Sequence, residues 1–175
     1  DYGLTEYMYV AIGNKGTNIF NKNDLNIISN LSNQFEALDI VDEVISITNL
    51  DKISLDPTDS SIVIDDIIQF PILNHQQIDD VMKYLNNNKI IKSRVISQKE
   101  DYANIIIIPE NSDHYVELTE NINSITKKYD NAYELHYGGQ AYVTGAVPGM
   151  VQKEVKVLLL FGLLLMSIIL LINLR

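Results

Sequence analysis

VLLLFGLLLMSIILLI, residues Val157–Ile172, is a run of sixteen positions broken only by Gly162 and Ser167. With Val155, Lys156, Asn173 and Leu174 it reaches about 20 residues, enough helix to cross a bilayer core of ~30 Å. Lys153, Lys156 and Arg175 flank the run as interface anchors, and the Lys156 stem is long enough to snorkel. A buried core helix is the competing reading. A chain of 175 residues cannot cover such a helix on all sides. A signal peptide would lie at the other end. The run therefore reads as a membrane span and splits the chain into an aqueous part and a membrane part.

Charge divides at the same place. Residues 1–150 carry 10 basic and 22 acidic side chains, net −12, whereas residues 151–175 carry 3 basic and 1 acidic. The overall charge of −10 argues against nucleic acid, which needs clustered Lys and Arg. An acidic domain is a poor neighbour for an anionic cytoplasmic leaflet. The expectation is a cell-membrane location with residues 1 to about 150 outside the cytoplasm and Arg175 on the inside. The chain starts at Asp1 without Met and stops at Arg175, which reads as a segment of a longer membrane protein.

The aqueous part alternates strand and helix signals. Tyr7–Ile12 is β-prone and closes in the turn-forming GNKGTN of Gly13–Asn18. Asn23 or Asp24 is placed to cap a helix with Ile28, Leu31, Phe35 and Leu38 on one face, ended by Asp39. Val41–Thr48 reads as a strand, and residues 50–74 as an irregular acidic segment with one or two short strands. His75–Asn88 is a helix facing inward with Ile78, Val81, Met82 and Leu85. Ile90–Ser97 and Tyr102–Ile108 pair as a hairpin around QKED, the second being a central strand that Pro109 ends. Asp113–Tyr129 is a helix and Glu134–Thr144 a last strand, with a bulge at Gly138-Gly139. Pro148 suits the first turn of a helix that runs on into the span. With an insertion at about 50–100 set aside, the order is βαββαβ, an α+β ferredoxin-like arrangement carrying an inserted helix and hairpin. The expected division is an α+β domain over 1–147 and a helix over 148–175.

Little points to catalysis. The absence of Cys excludes a disulfide scaffold, a thiolate metal site and a Cys nucleophile. His75, His114 and His136 share no helical ligand spacing. Asp56, Asp59, Asp65 and Asp66 lack the order of a calcium loop and read as a solvated face. Gly13-Asn14-Lys15-Gly16 is a turn rather than a phosphate loop, and Asn30-Leu31-Ser32 is a glycosylation sequon inside a helix. Tyr2, Tyr7 and Tyr9, with Tyr133, Tyr137 and Tyr142, cluster at the two ends of the domain, where the bilayer interface and ordinary strand positions both suit them. A hydrolase on this fold would need an Arg in the turn after the first strand. The chain has Lys15 there and no Arg before Arg94. The reading is that the chain is no enzyme and carries no catalytic residue, no metal and no cofactor.

The stretch Tyr142–Arg175 carries a resemblance. Val143-Thr144-Gly145 is followed by Pro148, a polar Gln152–Lys156 and an apolar run ending in Asn-Leu-Arg. This resembles the exit from the first extracytoplasmic loop of RND-superfamily exporters into their second transmembrane helix, above all those of the MMPL type, or hydrophobe/amphiphile efflux-3 family. Val41, Val44 and Ser46, after a helix of the Leu25–Leu38 kind, fit the same loop. The resemblance implies a porter domain in a proton-driven exporter of lipids, amphiphiles or drugs. Its partners would be the bilayer, a hydrophobic or amphiphilic substrate, the rest of the same transporter chain and, in some members, further copies of it. The family's proton-carrying acidic residues lie on a later helix, and Val157–Leu174 holds no ionisable group. Only Gly145 and Pro148 carry over, as structural elements of the domain–membrane junction. The alternative is an extracytoplasmic sensor or ligand-binding domain on a single-span anchor.

Overall fold

Ile105–Ile108 lie at the centre of a four-stranded sheet. The computed structural model describes residues 6–55, 62–66, 71, 72 and 74–174, with backbone alone at 51–55 and 62–66. β5 (Tyr102–Pro109) pairs on one side with β1 (Met8–Gly13) and on the other with β2 (Val41–Ile45). β6 (Glu134–Gly138) completes the sheet on the free side of β1. Every pairing is antiparallel, in the order β2-β5-β1-β6. Tyr9 stands opposite both Ile106 and Gly138, so β1 begins where β6 ends. All four isoleucines of β5 are buried, which is why this strand shows a continuous apolar run instead of alternation. β1 does alternate: Met8, Val10 and Ile12 are buried, and Tyr9 and Ala11 are half-buried.

Two helices bring apolar stripes to this sheet. α1 (Lys22–Glu36) buries Leu25, Ile28, Leu31 and Phe35 at spacings of three and four. Its cap is Asn21 rather than Asn23 or Asp24. The extended Asn21 backbone lets the side chain accept from the Asp24 N–H at 3.0 Å, and Asp24 sits in the first turn, where the helix dipole favours a carboxylate. α4 (Tyr115–Thr126) buries Leu118 and Ile122. Single 3₁₀ turns at Ser112–His114 and Lys127–Tyr129 flank it, and Asn111 caps the first. Lys128 Nζ reaches Gln34 Oε1 at 2.9 Å, tying the end of α4 to α1.

β2 stops at Ile45, three residues short of the sequence expectation. Ser46 leaves the ladder because a buried hydroxyl cluster captures it: its Oγ lies 2.8 Å from Ser32 Oγ and 2.8 Å from Thr48 Oγ1. The Asn49 side chain accepts from the Ser46 N–H and donates to the Val44 carbonyl, closing the turn. Ser32, the hydroxyl of the sequon, is buried here and also donates to the Ile28 carbonyl at 2.9 Å. That hydroxyl is a packing element.

The insertion contains a separate antiparallel hairpin, β3 (Asp51–Leu55) with β4 (Ile62–Asp66). α2 (His75–Asn87) follows, held by a reciprocal capping box between Asn74 and Gln77. The expected strand Ile90–Ser97 is instead α3 (Lys89–Val95), and only Ile96 makes a bridge, to Ala103. Ile91 and Val95, four apart, turn inward while Ile90 is 75% exposed, so the burial follows a helical period. Asn88 ends α2 and also starts α3, its carbonyl accepting from the Lys92 N–H at 3.0 Å. Of the acidic cluster, Asp56 and Asp59 lie outside the described residues, and Asp65 and Asp66 are in β4.

At the far end of the sheet the GNKG turn is fastened from beneath. Asp101 is 5% exposed and its carboxylate accepts from Ser97 Oγ at 2.7 Å and from the Gly16 N–H at 3.3 Å. The Ser97 hydroxyl, with the Gly16 N–H and its own N–H, holds its pKa below the ordinary value of 3.8, although burial pushes the other way. A depressed carboxylate stabilises the fold above the ordinary value, and that contribution disappears as pH falls through the folded value. Melting temperature should therefore decline below about pH 4. Asp101→Asn should flatten that decline relative to the native chain, and parallel acid limbs would contradict it.

The last element, α5 (Gln140–Asn173), is 34 residues long and leaves the sheet directly from β6. The molecule is thus a mixed α+β domain, built on an antiparallel four-stranded sheet, with one long apolar C-terminal helix.

Candidate functional site: the junction of domain and apolar helix

The expected last strand, Glu134–Thr144, is only half strand. β6 stops at Gly138, and Gly139 adopts φ +90°, a conformation that L side chains rarely adopt. A Cβ on Gly139 would also come within 2.2 Å of the Tyr7 carbonyl oxygen. Glycine is required there twice over, and it turns the chain out of the sheet into α5. Val143, Thr144 and Gly145 consequently stand on a helix, not at the end of a strand, and Gly138-Gly139 is a corner rather than a bulge. Pro148 falls in the ninth position of α5 rather than its first turn.

The first turns of α5 are held in a socket formed with α4. Ala141 is fully buried and Gly145 is buried four residues on, one turn along the same face. Gly145 is pressed so close to α4 that an added Cβ would stand 2.1 Å from the Tyr115 carbonyl oxygen and 2.2 Å from Thr119 Oγ1. Thr119 Oγ1 donates to that same carbonyl at 2.7 Å, which fixes both walls of the socket. Beside it the Tyr142 ring stacks on Tyr137, with centroids 5.1 Å apart and planes 9° from parallel. Tyr137 Oη lies 2.7 Å from Thr126 Oγ1, and Tyr142 Oη donates to Asn123 Oδ1 at 3.4 Å, so both aromatics are tied to α4. Burial raises the Tyr137 pKa, and burial first, then a hydrogen bond to Glu6, pushes Tyr115 up to about 12. Both phenols stay neutral across physiological pH.

From Val147 onward the helix has no cover. Its apolar side chains run from 45% exposed at Val147 to 83% at Leu174, and none of the most hydrophobic eighteen-residue window is buried. Such a surface in water is a large unfavourable exposure. α5 is the one helix among the described residues long and apolar enough to cross a membrane. Lys153, Glu154 and Lys156 mark the start of this stretch.

The histidines do not converge. His75 is exposed at the start of α2, and His114 Nδ1 stands 3.6 Å from Glu117 Oε2. His136 lies edge-on to Tyr102 at 5.4 Å. Among the described residues no three His, Asp or Glu side chains gather as a metal site would require. Gly145 and Pro148, named from sequence, share one helix but differ in role: Gly145 is gripped by the domain, while Pro148 is exposed just past the grip. Ala141, Tyr142, Tyr115 and Thr119 complete the socket and were not singled out for it. The small residues at 141 and 145, one helical turn apart, are the pattern that marks it. No family model matches the chain, and no curated protein is significantly similar to it.

Proposed function

We propose that the chain is the extracytoplasmic porter-like domain, with its following membrane helix, of a proton-driven RND-type exporter of lipids, amphiphiles or drugs, nearest in kind to the MMPL group. The observation that carries the reading is the direct passage from β6 through the α4 socket into an exposed apolar helix of membrane-spanning length. A displacement of α5 in the bilayer is delivered to α4 through Gly145 and not through a loose linker. The domain then moves as a body, and a cavity on the outer side of the membrane opens or closes with it. The strand order β2-β5-β1-β6, with α1 and α4 following β1 and β5, supports a ferredoxin-like assignment. The net charge of −12 over residues 1–150 supports placing the domain outside the cytoplasm.

The test uses the complete protein in proteoliposomes with an imposed proton gradient and a fluorescent amphiphile. Gradient-dependent movement of the probe is expected, abolished by an uncoupler. Two glycines inserted after Gln152 rotate and displace the domain relative to the span, and transport should fall at least ten-fold at unchanged protein level. Intact transport in the insertion variant would refute the passage of rotation and axial movement along α5. No transport in the native protein, with a reading frame lacking further spans, would leave a single-span anchored sensor.

A further inference from the structure

We infer that Pro148 and Gly149 form a bending joint between the domain's grip on α5 and the membrane-spanning part of that helix. The inference rests on reading α5 as a membrane span and not on what the protein moves.

Three observations locate the joint. Residues 140–145 are fixed by the domain, because Ala141 and Gly145 are buried and the Gly145 backbone is wedged against Tyr115 and Thr119. Pro148 stands inside the helix, where it has no N–H for the Thr144 carbonyl and its ring crowds that carbonyl; an interior proline weakens a helix by about 3 kcal/mol. Gly149 follows, and a Cβ there would meet no atom within 4 Å. No contact demands glycine at 149, unlike 145, yet a helix-interior glycine weakens the helix by roughly a further 1 kcal/mol against alanine.

Position turns this weakness into a device. Thr144 and Pro148 are both exposed, so water can satisfy the carbonyl that proline leaves without a donor. Lys153 and Lys156 lie one to two turns further on and mark the bilayer edge, which keeps the joint on the aqueous side. Gly162 also has open space around it, but it lies within the apolar run, where helix hydrogen bonds have no water to replace them and no proline accompanies it. A bend at 148–149 disturbs neither the core nor the socket. The domain can tilt over its span while rotation and axial movement still pass along the helix.

Residues 1–175 hold no cysteine, so two introduced thiols are the only labelling sites among them. Spin labels at Glu120→Cys, exposed on α4, and Leu158→Cys, in the apolar run, report the domain-to-span distance by pulsed electron resonance with the full chain in lipid nanodiscs. The native sequence should give a broad distance distribution, and Pro148→Ala with Gly149→Ala should narrow it to roughly half the width. Equal widths would overturn the joint. A second pair, Asn86→Cys with Glu120→Cys, reports whether the domain stays folded; should the double variant disturb it, Gly149→Ala alone decides by the same criterion. Oxygen accessibility of the label at position 158 reads insertion separately, so a label outside the bilayer overturns the membrane reading whatever the width.

Discussion

Phe35→Ala is expected to lower the stability of the domain by about 3–5 kcal/mol. Phe35 is fully buried in the last turn of α1, and among the described residues it is the largest side chain with no exposure. Removing its ring forfeits the transfer free energy of an aromatic and leaves a cavity that the surrounding branched residues fill poorly, since Ile28, Ile105 and Ile107 of the same core are stiff at Cβ. A typical domain holds only about 5–15 kcal/mol in all, so the variant should be near its unfolding threshold at room temperature. Denaturant unfolding in detergent, followed by the fluorescence of the ten tyrosines in this Trp-free chain, measures it. Phe35→Leu should recover most of the loss. A drop below about 1 kcal/mol for Phe35→Ala would mean that the ring does not occupy the core.

Gly145→Ala should destabilise the domain by about 1–3 kcal/mol, against the usual sign for this exchange. In an open helix interior, alanine is better than glycine by roughly 1 kcal/mol. At position 145 the new methyl meets a backbone carbonyl and a hydroxyl that is itself bonded to that carbonyl, at separations no real Cβ shows. Neither neighbour is the free end of a flexible side chain, so α5 must lift off α4. Gly149→Ala is the matched control: four residues along the same helix, with nothing nearby to meet, it should be neutral or stabilising. The same unfolding experiment decides the pair. Two changes of equal sign would show that position 145 is not gripped.

The sheet and its two covering helices were legible in the sequence because their signals are local and strong. The buried run Ile105–Ile108 and the stripe Leu25, Ile28, Leu31 and Phe35 each specify one element whatever lies around them. Two readings failed where β-prone residues sit on helices, the short α3 and the first turns of the long α5. Ile90, Ile91 and Val95 look like a strand by composition, but Ile90 and Arg94 face water, Lys92 pairs with Glu100 at 2.6 Å, and the inward pair Ile91 and Val95 stands four apart. Tyr142, Val143 and Thr144 look like a strand for the same reason. Gly139 decides against it through a positive φ that only a glycine accepts easily and that no periodicity reveals. At the junction, Gly145 was readable as a structural element, but its partners were not: Tyr115 and Thr119 are about thirty residues away along the chain and become neighbours only when α4 folds onto the sheet.

β1 begins opposite the end of β6, so the two strands are held at the same end by residue 7 and by α5. This decides how the domain responds to tension. Pulling residue 7 and the helix apart draws the strands open like a zip, one rung of the ladder at a time, instead of sliding five paired residues past each other together. Zips part at low force. The socket around Gly145 stands ahead of β6 in that path, so tension from the membrane reaches the sheet only after α5 has come away from α4, and the helix contact acts as the fuse that spares the strands.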